Sequence, residues 1–285
     1  MAEVSDSWEK KGTYEGVAES LKDKYGGRFS KATIQHALDA VAVGLEPEAQ
    51  TMRDGLKDAD GIGYDETSYP IMGESGWAWV AAARDTVCYH LSGSRSRATF
   101  EEHAMVPGRP ATVDGYVVYE ILEIMQRCWA HILRDAEAEA RAAKRAGGER
   151  TDCRDARILL ERLKHLYHVA KAGPRGDYHA YEAYVRQALE IAGQYTTKFA
   201  QTLVKAAPNL FTFVLYDVDP TNNHSERAMR MVVGNRNVRR QVCSLRGMWR
   251  CSILWMRIRT WRLRGTSIYR ELRQRIAEGT LANSC

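Results

Sequence analysis

Short apolar runs between residues 61 and 129 constrain the fold of this chain more than any other feature. The runs with strand-like patterning are 62–66, 76–83, 86–91, 111–114 and 125–129. Turn residues separate the first three runs, which predicts an antiparallel meander. Helical patterning at 97–105 and 116–123 separates the later runs. This order predicts an α/β domain.

Helical patterning dominates the chain before these runs. Residues 13–25 and 30–43 predict two helices with apolar edges, separated by a glycine pair, and Ser30 is a candidate N-cap. Pro47 is expected to end the second helix, and a short helix at 48–58 is expected to lead into the strands. Two short helices around a glycine turn fit either a DNA-reading helix-turn-helix or a packed helical hairpin.

A long helix-forming segment follows the strands, from residue 130 to about residue 207. It is rich in Ala, Glu, Arg, Lys and Leu. Glycines interrupt it at Gly147–Gly148 and within 173–176, so the segment predicts several helices rather than one.

The content of 45% hydrophobic residues is ordinary for a soluble protein with a globular core. No apolar run approaches the roughly 20 residues that a membrane span needs. The N-terminus has no basic region followed by an apolar one, so no secretion signal is predicted. The six cysteines are scattered without paired spacing, which favours reduced thiols over a structural zinc site.

Positive charge is concentrated in one part of the chain, although the net charge is only +5. Residues 226–275 contain fourteen Arg, no Lys and two acids, Glu226 and Glu271. Arg suits bidentate contact with phosphate, so this block predicts a polyanionic partner. The alternative is a basic helix face that only contacts solvent.

The segment that begins at Asp219-Pro220 carries the signals of a new helix. Pro220 breaks what precedes it, and Asn222 and Asn223 are candidate N-caps. In one interpretation Asn223 and Glu226 form a capping box, with Glu226 at the third helical position. In the other, the carboxylate of Glu226 is functional.

Two upstream acids, Asp65 and Asp114, each close a short apolar or β-branched run, as an acid at the end of a buried strand does. Four motifs occur in order: D-E-T at Asp65, D-G-Y at Asp114, C-W-A-H at Cys128–His131, and T-N-N-x-x-E-R-A-M-R from Thr221. In these motifs and in their rough spacing, the chain resembles the insertion-sequence-66 family of DDE transposases over residues 60–275.

The resemblance implies a ribonuclease H-like α/β core with a mixed sheet at residues 59–250. A helical insertion at 132–207 would interrupt it between the second Asp and the Glu. Residues 1–58 would form an N-terminal helical region and 251–285 basic C-terminal helices. The zinc-finger-like segment that precedes the core in longer family members is not found in this sequence.

The resemblance also implies a metal-dependent enzyme that cuts DNA at the ends of a mobile element and joins the 3′-OH to target DNA. Asp65, Asp114 and Glu226 would be its catalytic acids and would hold two Mg²⁺ or Mn²⁺ ions. His131 would act at the scissile phosphate or at the attacking water. The alternative is a catalytically inactive or truncated transposase remnant that only binds DNA.

The partners implied are double-stranded DNA, as element ends and as target, and further copies of the chain in a homodimer or larger assembly. Contacts between arginines and DNA phosphates would position the DNA without reading its sequence. The arginines expected to make them are Arg227, Arg230, Arg236, Arg239 and Arg240. The expected location is the cytoplasm of a prokaryote, at the nucleoid.

Overall fold

The computed structural model describes residues 2–5, 12–145 and 150–278. Its strands are β1 (Ile62–Ser68), β2 (Trp77–Ala82), β3 (Val87–Ser92), β4 (Ala111–Val113) and β5 (Met125–Arg127). Its helices are α1 (Tyr14–Tyr25), α2 (Lys31–Gly55), α3 (Arg97–His103), α4 (Trp129–Arg145), α5 (Arg150–Ala172), α6 (Tyr178–Ala192), α7 (Lys198–Ala206), α8 (Thr212–Leu215), α9 (Asn223–Arg239), α10 (Leu245–Leu263) and α11 (Ile268–Ala277). Across the described residues, every helix is too short or too polar to span a lipid bilayer.

The predicted α/β class is confirmed, and so is each of the strands expected from the apolar runs. The strand ends differ from the expected ones by at most two residues. The helical turns expected at 116–123 form a 3₁₀ helix at Val117–Ile121. The apolar runs therefore located the sheet well, because β2, β3 and β4 bury most of their side chains.

The chain divides into two compact units, and two of the four divisions fall inside β1 and inside α9. The first unit contains the described residues of 1–58, 65–106 and 225–285. The second unit contains the described residues of 59–64 and 107–224. Each unit has its own buried side chains.

The strands of the described chain form one five-stranded mixed sheet in the order β3-β2-β1-β4-β5. In the first unit, β2 and β3 pair antiparallel along their whole length. In the second unit, the start of β1 runs parallel to β4, with Gly63 opposite Thr112. β4 in turn runs parallel to β5, with Val113 opposite Arg127.

The longest helix of the first unit, α2, corrects one prediction. Pro47 does not end a helix: α2 runs through Pro47 to Gly55, and a 3₁₀ helix at Leu56–Asp58 follows it. A proline inside a helix removes a hydrogen bond and costs about 3 kcal/mol or more. Leu45, Ala49 and Met52 are buried on both sides of Pro47, and their burial offsets this cost. The start of α2 is as expected, since the Ser30 Oγ accepts the Thr33 N–H at 3.0 Å.

Packing of α2 against α10 explains part of the arginine block. Arg250 and Arg257 of α10 are buried, and both bind acids of α2. Arg250 Nη1 lies 2.5 Å from Asp39 Oδ1. Glu48 pairs with Arg257 and also accepts from Arg275 Nε at 2.8 Å. These arginines therefore hold the first unit together through ion pairs. This role differs from both expectations, which were contact with DNA and a basic helix face that only contacts solvent.

The helices of the second unit pack around one apolar cluster, which confirms the helix-forming prediction for this part of the chain. Trp129, Ile132, Leu163 and Phe211 are among its buried members. The break expected within 173–176 separates α5 from α6. The break expected at Gly147–Gly148 lies outside the described residues.

Candidate active site

The loop that precedes α9 is fixed to the strands of the second unit by its backbone. The carbonyl of Asp219 accepts a hydrogen bond from the Thr112 hydroxyl at 2.6 Å. The carbonyl of Pro220 accepts one from the Trp129 N–H at 3.0 Å. Because Thr112 belongs to β4 and Trp129 begins α4, the loop has a defined position beside the sheet.

Asn222 attaches the start of α9 to β1. It is buried, its side-chain amide donates to the carbonyl of Tyr64 at 2.8 Å, and its backbone N–H donates to Cys128 Sγ at 3.1 Å. The helix begins at Asn223, directly after Asn222, and the capping box of Asn223 and Glu226 stays a prediction. Tyr64 directly precedes Asp65, so the start of α9 is held against the residue before the first candidate acid.

Asp65 and Glu226 line the same cavity of the first unit, which has a volume of about 320 Å³. Both residues are half-buried. The cavity lining consists of Asp65, Glu66, Thr67, Glu226, Met229, Arg230 and Val233. Two of the three predicted acids therefore contribute to one cleft between β1 and α9, together with an arginine one helical turn beyond Glu226.

Glu66 also lines this cavity, but its carboxylate is used within the fold. Its side chain is 2% exposed and accepts hydrogen bonds from the guanidinium of Arg95, including one from Nε at 3.1 Å. Arg95 in turn stacks on Trp77, with its Cζ 4.6 Å from the ring centroid. The ion pair makes Glu66 a poorer candidate ligand than its neighbour Asp65.

Asp114, the third predicted acid, follows β4 in the second unit and lies close to a charge that the sequence analysis missed. Asp114 Oδ1 accepts the Tyr116 N–H at 2.8 Å. Arg127 lies opposite Val113 on β5. Burial lowers the pKa of Arg127, and the charge of Asp114 opposes that change. A Cβ on Gly115 would lie 2.7 Å from Arg127 Nη2, so the glycine leaves room for the guanidinium.

His131 lies in the first turn of α4, where it is half-buried. Its backbone N–H donates to the carbonyl of Cys128 at 3.2 Å. Cys128 is buried and accepts from the loop before α9, which gives its thiol a packing role in the second unit. A direct role of His131 in the chemistry stays a prediction.

The five arginines expected to bind DNA differ in their surroundings. Arg227, Arg230 and Arg240 are exposed. Arg236 Nη1 donates to the carbonyl of Ser68 at 2.6 Å, and Arg239 Nε donates to the carbonyl of Gly12. Burial also lowers the pKa of Arg239. The first three side chains extend into solvent, while the other two already have partners in the fold.

The donor set fits a divalent metal ion in part. Asp65 and Glu226 offer hard carboxylate oxygens, the ligands that Mg²⁺ prefers, at one cavity. Within residues 2–5, 12–145 and 150–278, no group of three His, Cys, Asp or Glu residues is arranged to hold a metal ion. Besides Glu66, which is paired with Arg95, the structure thus supplies two carboxylates at the cavity.

Comparison with known protein families gives one strong correspondence. The family model described as Transposase IS66 family matches residues 4–249 of the 285. The matched range contains all three candidate acids and ends inside α10. No curated protein matches the chain.

Proposed function

Because this chain belongs to the IS66 family of transposases, we propose that it cuts DNA at the ends of a mobile element and joins the freed 3′-OH to target DNA. Family membership itself indicates an enzyme of DNA cleavage and transfer with DNA as its partner. The proposal adds the chemistry, which is metal-dependent phosphoryl transfer at Asp65, Asp114 and Glu226.

The observation that carries this proposal is the shared cavity of Asp65 and Glu226. The two residues lie far apart in sequence, and each comes from one of the four motifs that match the family. A purely structural cap would not require the carboxylate of Glu226 to line the same cavity as the carboxylate of Asp65. Two acids at one cleft are what phosphodiester chemistry needs, since carboxylates hold the ions that neutralise developing charge.

Asp114 is proposed as the third acid on the basis of strand register in the second unit. Gly63 of β1 is paired with Thr112 of β4. Asp65 follows Gly63 by two positions in the chain, and Asp114 follows Thr112 by two positions. Arg127 lies beside Asp114, whose negative charge favours the ionised form of the guanidinium.

Each residue of the site is proposed to have a distinct role. The chemistry that two Mg²⁺ or Mn²⁺ ions supply, when bound by the three acids, is activation of the attacking oxygen and stabilisation of the leaving oxygen. Asp65 on β1 and Glu226 on α9 would hold the ions at the cavity that both residues line. Arg230 lines the same cavity and would hold a non-bridging oxygen of the DNA strand. His131 is proposed to contact the phosphate or the attacking water.

The ribonuclease H-like fold is part of the proposal. Its support is the chain order of three strands, a helix and two further strands, and the sheet order β3-β2-β1-β4-β5. In this arrangement β1 is the central strand. Asp65 comes after the residues of β1 that pair with β4, and Asp114 comes after the residues of β4 that pair with β1. The helices α4 to α7 would then be the insertion between the second Asp and the Glu.

For DNA binding we propose phosphate contacts from the exposed arginines of α9, Arg227 and Arg230, and from Arg240 just beyond it. Arg236 and Arg239 would support the same surface from within the fold. On DNA the chain would act as a homodimer or larger assembly, at the nucleoid of a prokaryotic cell.

The test is a cleavage assay on supercoiled plasmid and on duplexes that carry the ends of the element. We expect nicks that depend on added Mg²⁺ or Mn²⁺, that vanish with a chelator, and that leave a 3′-OH extendable by a polymerase. Binding of DNA without any metal-dependent cleavage would contradict the enzymatic proposal and favour a remnant that only binds DNA.

A further inference from the structure

The ion pair between Glu66 and Arg95 lies directly beside the first candidate acid, because Glu66 follows Asp65 on β1. Glu66 lines the cavity of the candidate acids, yet its side chain is only 2% exposed. Its Oε1 accepts two hydrogen bonds from one guanidinium, from Arg95 Nε at 3.1 Å and from Arg95 Nη2. Two charged donors on a carboxylate oxygen form a strong contact with a defined direction. The contact therefore fixes the conformation of the Glu66 side chain.

Arg95 is itself held by its side chain and by its backbone. Its guanidinium stacks on Trp77 of β2, with the Cζ 4.6 Å from the ring centroid. Its backbone lies in the loop between β3 and α3. In this loop the carbonyl of Ser94 accepts from the indole N–H of the buried Trp79 at 3.2 Å. The Ser96 N–H donates to Ser94 Oγ at 3.1 Å, so hydrogen bonds fix the chain on both sides of Arg95.

The backbone of Glu66 connects this ion pair to Asp65. The Glu66 N–H donates to Asp65 Oδ1 at 2.9 Å, so the direction of this N–H sets the orientation of the Asp65 carboxylate. Rotation of that carboxylate would move its oxygens relative to Glu226, which lines the same cavity. A functional group of this kind has to be held within about 0.5 Å of its productive position. By fixing Glu66, Arg95 therefore also restrains Asp65.

Stability alone gives a weak reason for this ion pair. The side chain of Arg95 is 38% exposed, and an ion pair with a partner in contact with water contributes little to the free energy of unfolding. Its position next to Asp65 is the more informative feature. Glu66, Arg95 and Trp77 form a chain of contacts that ends at the carboxylate of Asp65.

We propose that Glu66, Arg95 and Trp77 are positioning residues that orient Asp65 for a divalent metal ion at the cavity. The inference rests on the proposed function, since Asp65 is a metal ligand only in that proposal. The three residues act through the Glu66 N–H and supply no ligand of their own. Substitution of residues that orient a metal ligand lowers metal affinity about 10–100-fold.

Binding of Mn²⁺ to the whole chain without DNA tests this role without measuring cleavage. Electron paramagnetic resonance of the free ion gives the Kd, and the relevant ions are those whose binding Asp65→Asn removes. We expect Arg95→Gln to raise this Kd about tenfold or more. Electrostatics alone predicts the opposite sign, because loss of a nearby positive charge strengthens the binding of a cation.

Conservative variants connect the effect to the geometry of the contacts. Arg95→Lys keeps the charge but loses the planar fork, so its Kd should fall between those of wild type and Arg95→Gln. Trp77→Phe keeps an aromatic face for the guanidinium, whereas Trp77→Leu removes it. Trp77→Leu should therefore weaken Mn²⁺ binding more than Trp77→Phe does.

Asp39→Asn is the control for a general loss of stability. It breaks another ion pair of the first unit, with Arg250, and Asp39 does not line this cavity. Its melting temperature should fall while its Kd for Mn²⁺ stays that of wild type. Melting temperatures are recorded for every variant, and the titrations are done where all of them are folded.

The outcomes separate this inference from the proposed function. If Asp65→Asn loses Mn²⁺ binding while Arg95→Gln binds as tightly as wild type or more tightly, the positioning role is overturned and the metal site stands. Equal weakening by Arg95→Gln and Asp39→Asn also overturns it, because the effect is then one of stability. If wild type binds no Mn²⁺, or Asp65→Asn binds it unchanged, the metal site of the proposed function fails and the positioning role fails with it.

Discussion

Glu226 carries two interpretations that a single substitution can separate. As a helix-start residue it needs only a side chain that can form hydrogen bonds. As a metal ligand it needs a negative charge. The structure gives two facts that bear on this choice. Glu226 lines the same cavity as Asp65, and α9 begins at Asn223.

We predict that Glu226→Gln abolishes metal-dependent cleavage and leaves the fold intact. The free energy of unfolding should change by at most about 1 kcal/mol, the scale of a lost cap. DNA binding should persist, because removing one of several close carboxylates relieves repulsion. Cleavage rates and melting temperatures of the variant are to be compared with those of Asp65→Asn.

Glu101→Gln is the matched control, since Glu101 is an exposed acid of α3 in the same unit. It should cleave like wild type. If Glu226→Gln also cleaves like wild type while Asp65→Asn is inactive, Glu226 is not one of the catalytic acids.

At the scale of elements, the buried ion pair between α2 and α10 makes a stability prediction. Asp39→Asn removes the charge that faces Arg250, and both side chains are less than 10% exposed. Breaking a buried pair by removing one partner costs about 3–5 kcal/mol, because the other charge stays buried. Urea unfolding should show a loss of this size.

Asp54→Asn is the comparison on the same helix. Asp54 is 54% exposed and pairs with Lys57, so its substitution should change the free energy of unfolding by less than about 1 kcal/mol. Equal effects of the two substitutions would mean that the Asp39 pair does not hold α2 against α10.

The contact of β3 with α3 makes a prediction about pH. His90 and His103 stack with ring centroids 4.2 Å apart. Burial, followed by the effects of His103 and Arg53, lowers the pKa of His90 from 6.5 to about 4. Folded His90 thus stays neutral where the unfolded chain would take up a proton, so its stabilising effect is complete above pH 6.5 and is lost as the pH falls toward 4.

Melting temperatures of wild type and His90→Gln, measured between pH 7 and pH 4, check this. The variant should lose less stability on acidification than wild type, because glutamine does not titrate. His36→Gln, at an exposed position of α2, should follow the wild-type curve. Parallel curves for wild type and His90→Gln would contradict the role of His90.

At the scale of the whole molecule, patterns local in sequence predicted the elements, and contacts distant in sequence were missed. The strands and the start of α2 follow from apolar runs and a capping serine, which act over a few residues. The Asp39–Arg250 pair and the Glu66–Arg95 pair join residues from different elements, and no periodicity reveals such partners. Pro47 inside α2 shows the same limit, since burial on both sides of it outweighs a local rule.

The candidate site was predictable to a similar extent. Asp65 and Glu226 were identified by motif, and they line one cavity. Arg127 was not identified, because its importance comes from its position opposite the residue before Asp114 on a neighbouring strand. The sequence likewise does not reveal which arginines of the block are buried, because the acids that bind them lie about 200 residues away in α2.

The last prediction concerns how the whole molecule binds DNA. Exposed arginines that neutralise phosphates release counterions, so each lost contact should reduce the slope of log K against log salt by about 0.9. The combined variant Arg227→Gln, Arg230→Gln, Arg240→Gln should therefore bind unrelated duplexes more weakly and to a similar degree, with a flatter slope. Fluorescence anisotropy over a series of salt concentrations measures both quantities.

The comparison that decides this prediction uses one arginine from outside α9 and one already bound in the fold. Arg270→Gln removes the same charge from an exposed position of α11 and should leave the slope unchanged. Arg236→Gln loses the hydrogen bonds to Ser68, so a lower melting temperature with an unchanged slope would assign it a structural role. An unchanged slope in the combined variant would instead mean that DNA binds elsewhere on the chain. In that case other basic residues, rather than the exposed arginines of α9, would make the phosphate contacts.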